Sequence, residues 1–278
     1  MSSSTRASIL SRTDLTGKVA VVTGGARGMG AEHVRSLTAR GASVLLTDLD
    51  EAAGQRLAAE VKASGGAAEF APGDVRDRAT WEAWRDLALD RFGAVHVLVN
   101  NAGIFGEESI LSVDRAAWQR VVDVNLKGPF LGMKTFAPLM REAGGGSVIN
   151  ISSAAGLDQN PDPSYTASKW GVRGLTKMAS QEFGPWGIRV NSIHPGYVLT
   201  SMTDFASDEM RAAKIGLTPL RRAGEPWEVA ELVAFLASDA AGFITGAEIA
   251  IDGGWTSGSQ ATEARRDRRG TDEARSLT

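Results

Sequence analysis

A single doubly wound α/β domain, with about seven parallel strands and helices on both faces, is the fold class that the sequence predicts. Short apolar runs rich in β-branched residues alternate with longer helical stretches from residue 17 to residue 254. Several of those runs are apolar without a break, as parallel strands covered on both faces must be. No linker, shift of composition or internal repeat divides the span.

VAVVTG (19–24), SVLLTD (43–48), VHVLVN (95–100), SVIN (147–150), IRVNSI (188–193) and AEIAID (247–252) read as strands. AAEFAP (67–72), less apolar, is the candidate for the third position. Asp50 and Asp77 stand before EAAGQRLAAEVKAS and RATWEAWRDLALDRF, where a side-chain oxygen caps the first free N–H groups of a helix. Gly41 and Gly93 sit where helices should stop. Residues 1–14 read as a disordered leader and 256–278, charged and nearly devoid of large apolar side chains, as a disordered tail. The folded domain is then 15–255.

Composition narrows the classes. The chain has 278 residues, 43% of them hydrophobic, enough for a sizeable core. A formal net charge of -3 gives no footing for general nucleic-acid binding. Without cysteine there are no disulfides and no thiolate metal sites. His33, His96 and His194 are scattered outside any metal spacing, so no metal is expected. No apolar run approaches bilayer length, and the first residues lack the apolar core of a secretory signal. A soluble, cytoplasmic protein is the expectation.

TGGARGMG (23–30) follows the first strand and opens a helix. Gly24, Gly28 and Gly30, with Arg27 and Met29 between them, form a turn that lets backbone approach a pyrophosphate at the helix N-terminus. No Gly-Lys-Ser/Thr ends the loop, which excludes the P-loop reading. Asp48 ends the second strand, where a carboxylate accepts hydrogen bonds from an adenosine ribose and repels a 2'-phosphate; Asp50 competes for that place. Arg27 pulls the other way, as a cation able to pair with such a phosphate. Because the carboxylate lies where the ribose must rest, the expected cofactor is NAD.

In YTASKW (165–170), Tyr165 and Lys169 are four apart in a stretch without helix breakers and share one face. Alone, the pair also reads as an aromatic packed beside a solvated cation. The ordered set TGGARGMG, GDV (73–75), NNAG (100–103), VNL around Asn125, NISSAAG (150–156), YTASK and HPGYVLT (194–200) resembles the motifs of the short-chain dehydrogenases/reductases. Within that family, GGARGMGAEHVR, SKWGVRGLTK and GIRVNSIHPG are most similar to the bacterial 3α/20β-hydroxysteroid dehydrogenases.

The resemblance implies a catalytic tetrad of Asn125, Ser153, Tyr165 and Lys169. Tyr165 would move the proton, Lys169 would favour the phenolate and hold the nicotinamide ribose, Ser153 would fix the substrate oxygen, and Asn125 would hold a water. Ser152 competes with Ser153: the family's usual spacing to the tyrosine selects Ser152, whereas the strand-end motif selects Ser153, which is the expected catalytic serine. Neighbouring side chains on extended backbone face opposite ways, so only one can point inward.

By position, Asp74 and Val75 would hold adenine, Asn101, Ala102 and Gly103 the nicotinamide-side ribose, and Val198 and Thr200 the carboxamide and phosphates. His194 reads as a packed strand-end residue. Substrate choice is expected in 197–218, where Met202, Phe205, Met210 and Ile215 are candidate apolar lining, and in 157–164. The resemblance also implies a homotetramer, with Trp170, Val172, Leu175 and Met178 available to its interface. A hydroxysteroid or similar alicyclic alcohol/ketone is the leading substrate class. Sugar, polyol, terpene-alcohol or 3-oxoacyl chemistry is the alternative, and an NAD-binding sensor or scaffold the non-enzyme one.

Overall fold

The computed structural model describes residues 11–258 except 107, 204 and 205; most of the expected leader and tail, and Phe205, lie outside the described residues. The strands are β1 (Val19–Thr23), β2 (Ser43–Asp48), β3 (Ala67–Pro72), β4 (Val97–Asn100), β5 (Gly146–Ile151), β6 (Ile188–Pro195) and β7 (Glu248–Ile251). They form one sheet in the order β3-β2-β1-β4-β5-β6-β7, every neighbouring pair parallel. The helices are α1 (Gly28–Ala39), α2 (Glu51–Ala63), α3 (Arg78–Phe92), α4 (Arg115–Val122), α5 (Gly128–Glu142), α6 (Pro163–Phe183), α7 (Asp208–Leu217) and α8 (Pro226–Ala237). Among the described residues no helix is long and apolar enough to cross a membrane.

Unbroken apolar strands feed two cores because successive side chains point to opposite faces. Ala20, Val22, Val44, Leu46, Val97 and Val99 pack with Val34 and Leu37 of α1, Leu57 of α2 and Val233 of α8. Val21, Leu45, Leu98, Val148 and Val190 pack instead with Trp81 of α3, Phe136 and Met140 of α5 and Phe183 of α6. Full burial of each such Leu, Phe or Met stabilises the fold by roughly 1.5–3 kcal/mol relative to exposure.

Asp50 and Asp77 cap α2 and α3 by accepting from Ala53 N and Ala79 N, and Gly93 ends α3 in the left-handed conformation. The weak third strand pairs in full with β2, from Ser43–Ala67 to Asp48–Pro72. β6 runs two residues further than the apolar pattern suggested, which carries His194 inside the strand. Between α4 and α5 the chain makes one π-helical turn, Asp123–Lys127, that buries Asn125.

The order reverses between β1 and β4, so the crevice of the fold opens at their C-terminal ends. Thr23 Oγ1 accepts from both Asn101 N and Ala102 N at 3.1 Å, and Asn101 Nδ2 donates to Thr23 O at 2.9 Å and Gly24 O at 3.0 Å. The two strand ends are thereby knitted together. α6 is fixed to the sheet by a buried chain in which Asn100 Nδ2 donates to Asn150 Oδ1 at 2.8 Å and Asn150 Nδ2 to Thr176 Oγ1 at 2.9 Å.

The expected interface face of α6 is corrected in part. Trp170 and Met178 are half exposed, but Val172 is 1% exposed and Leu175 packs on the second core. Val172 shares the inward stripe with Thr176 and Ala179, since residues three and four apart lie on one face.

His33 of α1 is fully buried, and neither ring nitrogen makes a hydrogen bond of normal geometry with the described residues. Burial lowers its pKa to about 3, with the Asn101 side chain opposing weakly. The unfolded chain then takes up a proton near pH 6.5 that the folded chain refuses until about pH 3. Stability is therefore lost as pH falls below about 6.5, by up to ~1.4 kcal/mol per pH unit from this group. We expect His33→Leu to flatten the dependence of unfolding free energy on pH between 6 and 4 by about that slope; identical slopes by urea titration would refute the assignment.

Candidate active site

The crevice holds a cavity of about 470 Å³, lined from the β1 turn by Gly24, Arg27, Gly28, Met29 and Gly30, and from the end of β2 by Thr47, Asp48 and Leu49. Asp74, Val75 and Arg76 close it after β3, Asn101 to Ile104 after β4, and Thr200 and Met202 after β6. Every expected cofactor residue from the glycine turn, β2, β3 and β4 thus lines it. Val198 does not. It packs in the first core, bridges to Gly224 and lines a smaller cavity instead, because the chain pairs there before reaching Thr200.

The turn is built for close approach. A Cβ at Gly24 would stand 2.9 Å from Ala102 Cα, and one at Gly30 1.9 Å from the Gly24 carbonyl oxygen. Gly24 and Gly28 have φ of +61° and +51°, the left-handed region where a side chain is strained. Arg27 is extended at the N-cap and no side chain caps α1, which leaves its first N–H groups free for an anion. These features fit a dinucleotide pyrophosphate.

Asp48 and Asp50 have separate employment. Asp48 Oδ2 accepts from Ala26 N at 3.1 Å and Oδ1 from Asp50 N at 3.0 Å, which holds the carboxylate against the cavity. Asp50 caps α2 and pairs with Arg27, and it does not line the cavity. Asp74 is engaged by Arg76, whose backbone N–H and guanidinium both donate to it; these bonds keep its carboxyl below the usual range.

The expected reacting groups adjoin the Gly103 end of the cavity without lining it. A Cβ on Gly103 would lie 3.4 Å from Asn125 Oδ1 and 3.5 Å from Lys169 Nζ. Lys169, buried on α6, donates from Nζ to Ile151 O at 2.9 Å, its ammonium 5.5 Å from the centre of the Tyr165 ring. No carboxylate pairs with it among the described residues, and burial lowers its pKa to about 8. Tyr165 is raised above its ordinary value by desolvation, opposed by a hydrogen bond with the Ser153 side chain and reinforced by the charge of Asp162. The expected lowering by Lys169 is therefore not a property of the protein by itself.

Ser153 lies close enough to Tyr165 to oppose the rise of its pKa, and its Oγ accepts from Ala155 N at 3.1 Å. Ser152 turns the other way: it is buried and its Oγ donates to Lys169 O at 3.0 Å. Asn125 donates both amide hydrogens, to Ile104 O at 2.8 Å and Ser168 Oγ at 3.1 Å, while Oδ1 accepts from Ile104 N at 2.9 Å. Its side chain thus pins the Gly103–Ile104 backbone to α6, and Oδ1 keeps a second lone pair that can accept from a water.

Sequence reasoning missed Asp162. It is buried, caps α6 through Ser164 N and Tyr165 N, and accepts from Gly106 N at 2.5 Å, so it joins the loop after β4 to the helix that carries Tyr165. The Asp-Pro-Ser start of α6 was the available signal. Arg76, Arg120 and Val124 on the cavity wall were also missed; Arg120 comes from α4, and for Val124 the sequence held no cue because the π turn presents it. Of the expected substrate lining, Met202 reaches the cavity, and Met210 stands 45% exposed on α7.

The family model described as enoyl-(acyl carrier protein) reductase matches residues 24–256. The chain is 50% identical over 245 residues, 88% of its length and 91% of the relative's, to the 3-alpha-(or 20-beta)-hydroxysteroid dehydrogenase of Mycobacterium tuberculosis. It is 46% identical over 249 residues, 87% of its length and 94% of the relative's, to the trans-4-hydroxycyclohexanecarboxylate dehydrogenase of Sinomonas cyclohexanicum. A solved short-chain type dehydrogenase/reductase from Mycobacterium marinum superposes with a TM-score of 0.86 at 33% identity, covering 89% of this chain and 99% of that one.

Gly30→Ala drives a methyl into the Gly24 carbonyl. We expect a loss of more than about 2 kcal/mol in unfolding free energy or, if the turn opens to relieve the clash, at least tenfold weaker NADH binding by fluorescence titration. A variant unchanged in both would mean that the turn is looser than its contacts.

Proposed function

The chain belongs to the short-chain dehydrogenase/reductase family, and from that premise we propose that it is an NAD-dependent oxidoreductase interconverting a secondary alcohol and its ketone on a hydroxysteroid or similar alicyclic substrate. The observation that carries the proposal is the Tyr165 ring 5.5 Å from the buried Lys169 ammonium, at the Gly103 end of the cavity, with Ser153 close enough to oppose the rise of the phenol's pKa. The names of the relatives support a ring-bearing alcohol: a hydroxysteroid dehydrogenase, a hydroxycyclohexanecarboxylate dehydrogenase and a cyclopentanol dehydrogenase at 40% identity. In this reading residues 15–255 are the catalytic domain of a cytoplasmic homotetramer.

The substrate oxygen rests between the Ser153 and Tyr165 hydroxyls. When bound, NAD supplies the hydride acceptor, and NADH the donor in the reverse direction. Tyr165 takes the alcohol proton during oxidation and returns it during reduction. Ser153 donates to the substrate oxygen and stabilises the charge that develops there. With a pKa of about 8, Lys169 is mostly protonated at pH 7, and its charge, 5.5 Å from the centre of the Tyr165 ring, favours the phenolate when the cofactor is bound beside both. Its two remaining hydrogens suit ribose hydroxyls.

Cofactor preference rests on Asp48. Its carboxylate is held at the cavity by two backbone N–H groups and keeps lone pairs for two ribose hydroxyls. Arg27, the one expected ally of a 2'-phosphate, is already paired with Asp50. A 2'-phosphate facing Asp48 would be disfavoured by about 2–4 kcal/mol.

We expect Tyr165→Phe to abolish turnover while NADH binding stays within a few-fold, and Ser153→Ala to lower kcat by about 10²-fold or more. Comparable turnover of the Phe variant at saturating cofactor would sink the assignment, and damage from Ser152→Ala alone would move the role to that residue. Wild-type kcat/KM should favour NAD over NADP by at least about tenfold, and Asp48→Ala should narrow or reverse this through better use of NADP. Equal use of both cofactors by the wild type would overturn the reading of Asp48.

A further inference from the structure

We propose that His194 is a positioning residue for catalysis: through its ring it holds the Ser153 peptide in the one orientation that turns the serine hydroxyl toward Tyr165. This goes beyond a packing role and rests on the reading of Ser153 given above.

His194 lies one residue from the end of β6, beside the end of β5, where Ile193 is in register with Ile151. It is fully buried. Its Nδ1 stands 3.0 Å from Ser153 O and its Nε2 2.9 Å from Ser192 Oγ. A carbonyl oxygen only accepts, so Nδ1 carries the hydrogen, and in a neutral ring Nε2 must then accept from the Ser192 hydroxyl. Burial disfavours the charged ring, reinforced by Arg173 and Lys169 and opposed by the Ser153 carbonyl and Glu248. Ser192 Oγ also lies 3.4 Å from Ala247 O, but one hydroxyl hydrogen serves one bond well, and the shorter contact is to the ring.

The Ser153 carbonyl has a second donor, Gly156 N at 2.8 Å, which closes the short turn Ala154–Gly156. Two donors on one carbonyl fix the plane of the peptide, whereas one alone lets it pivot. Ser153 is extended, with φ of -168° and ψ of 161°, so its Cα–Cβ bond is set by that plane, and Ala155 N, 3.1 Å from Oγ, fixes the hydroxyl. An apolar side chain would fill the same volume without desolvating two nitrogens; the polar pairing is what packing leaves unexplained.

Asparagine places an amide nitrogen where Nδ1 is, and glutamine places one nearer Nε2. With a cyclic secondary alcohol and NAD, His194→Leu and His194→Gln should therefore lower kcat about tenfold or more with KM for NAD within twofold. His194→Asn should stay within about threefold of wild type. In a Ser153→Ala background, His194→Leu should cost nothing further. Equal losses in the Asn and Gln variants, full kcat in the Leu variant, or an additive loss in the double variant would overturn the proposal. Should the variants fail to fold, nitrogen NMR of the wild type decides: His194 must be the neutral Nδ1–H tautomer, and an Nε2–H or charged ring refutes it. An active Ser153→Ala enzyme would instead refute the role of Ser153, a different failure from a damaged Ser153→Ala enzyme with an indifferent His194.

Discussion

The end of β5 is clasped to the middle of α6, and the geometry of the site follows from that clasp. Ile151 O receives the Lys169 ammonium and Ser152 Oγ donates to the Lys169 carbonyl, so two successive residues of the strand grip one residue of the helix from both its ends. The next residue, Ser153, lies near Tyr165, one turn before Lys169 on α6, and opposes the rise of its pKa. A parallel sheet makes this possible because all its strands end on the same edge. There, carbonyls that have run out of strand partners can hold side chains instead.

The clasp has an electrostatic consequence. An ammonium held inside the protein with a carbonyl for its partner, and no carboxylate among the described residues, is poorly compensated, which is why its pKa falls to about 8. The nearby phenol is desolvated too and moves upward. Asp162 adds to that upward shift, yet it is the residue that starts α6 and ties the Gly106 loop to it. Structural need and ease of deprotonation conflict here, and the cap prevails because it orders two segments around the site.

At the far end of the cavity the acidic residues divide their work by position. Asp48 is held by backbone and faces inward; Asp50, two residues on, caps α2 and neutralises Arg27. A composition count sees two carboxylates and an arginine near a glycine turn. In space only one carboxylate is unpaired by a cation and turned to the cavity, and that asymmetry carries the argument about cofactor phosphate.

The sequence by itself determined the fold class, the strands and their helical connections, and the order of the motifs, since period and capping residues are local and parallel connections have one hand. It also placed the glycine turn, Asp48 and Asn101–Gly103 at strand ends that share one edge, which is why they line one cavity. Tertiary structure decided which way side chains turn once there. Ser152 and Ser153 are neighbours in an extended segment, and only the contact with Lys169, seventeen residues on, shows which of them is occupied. Val198 was named by motif and Val172 as an apolar residue of its helix; a bridge to Gly224 keeps the first off the cavity lining, and an inward helix face buries the second. His194 looked like packing because its partner is a backbone carbonyl forty-one residues away. Long-range hydrogen bonds of this kind depend on backbone atoms that every residue shares, so no pattern of side chains along the chain can announce them.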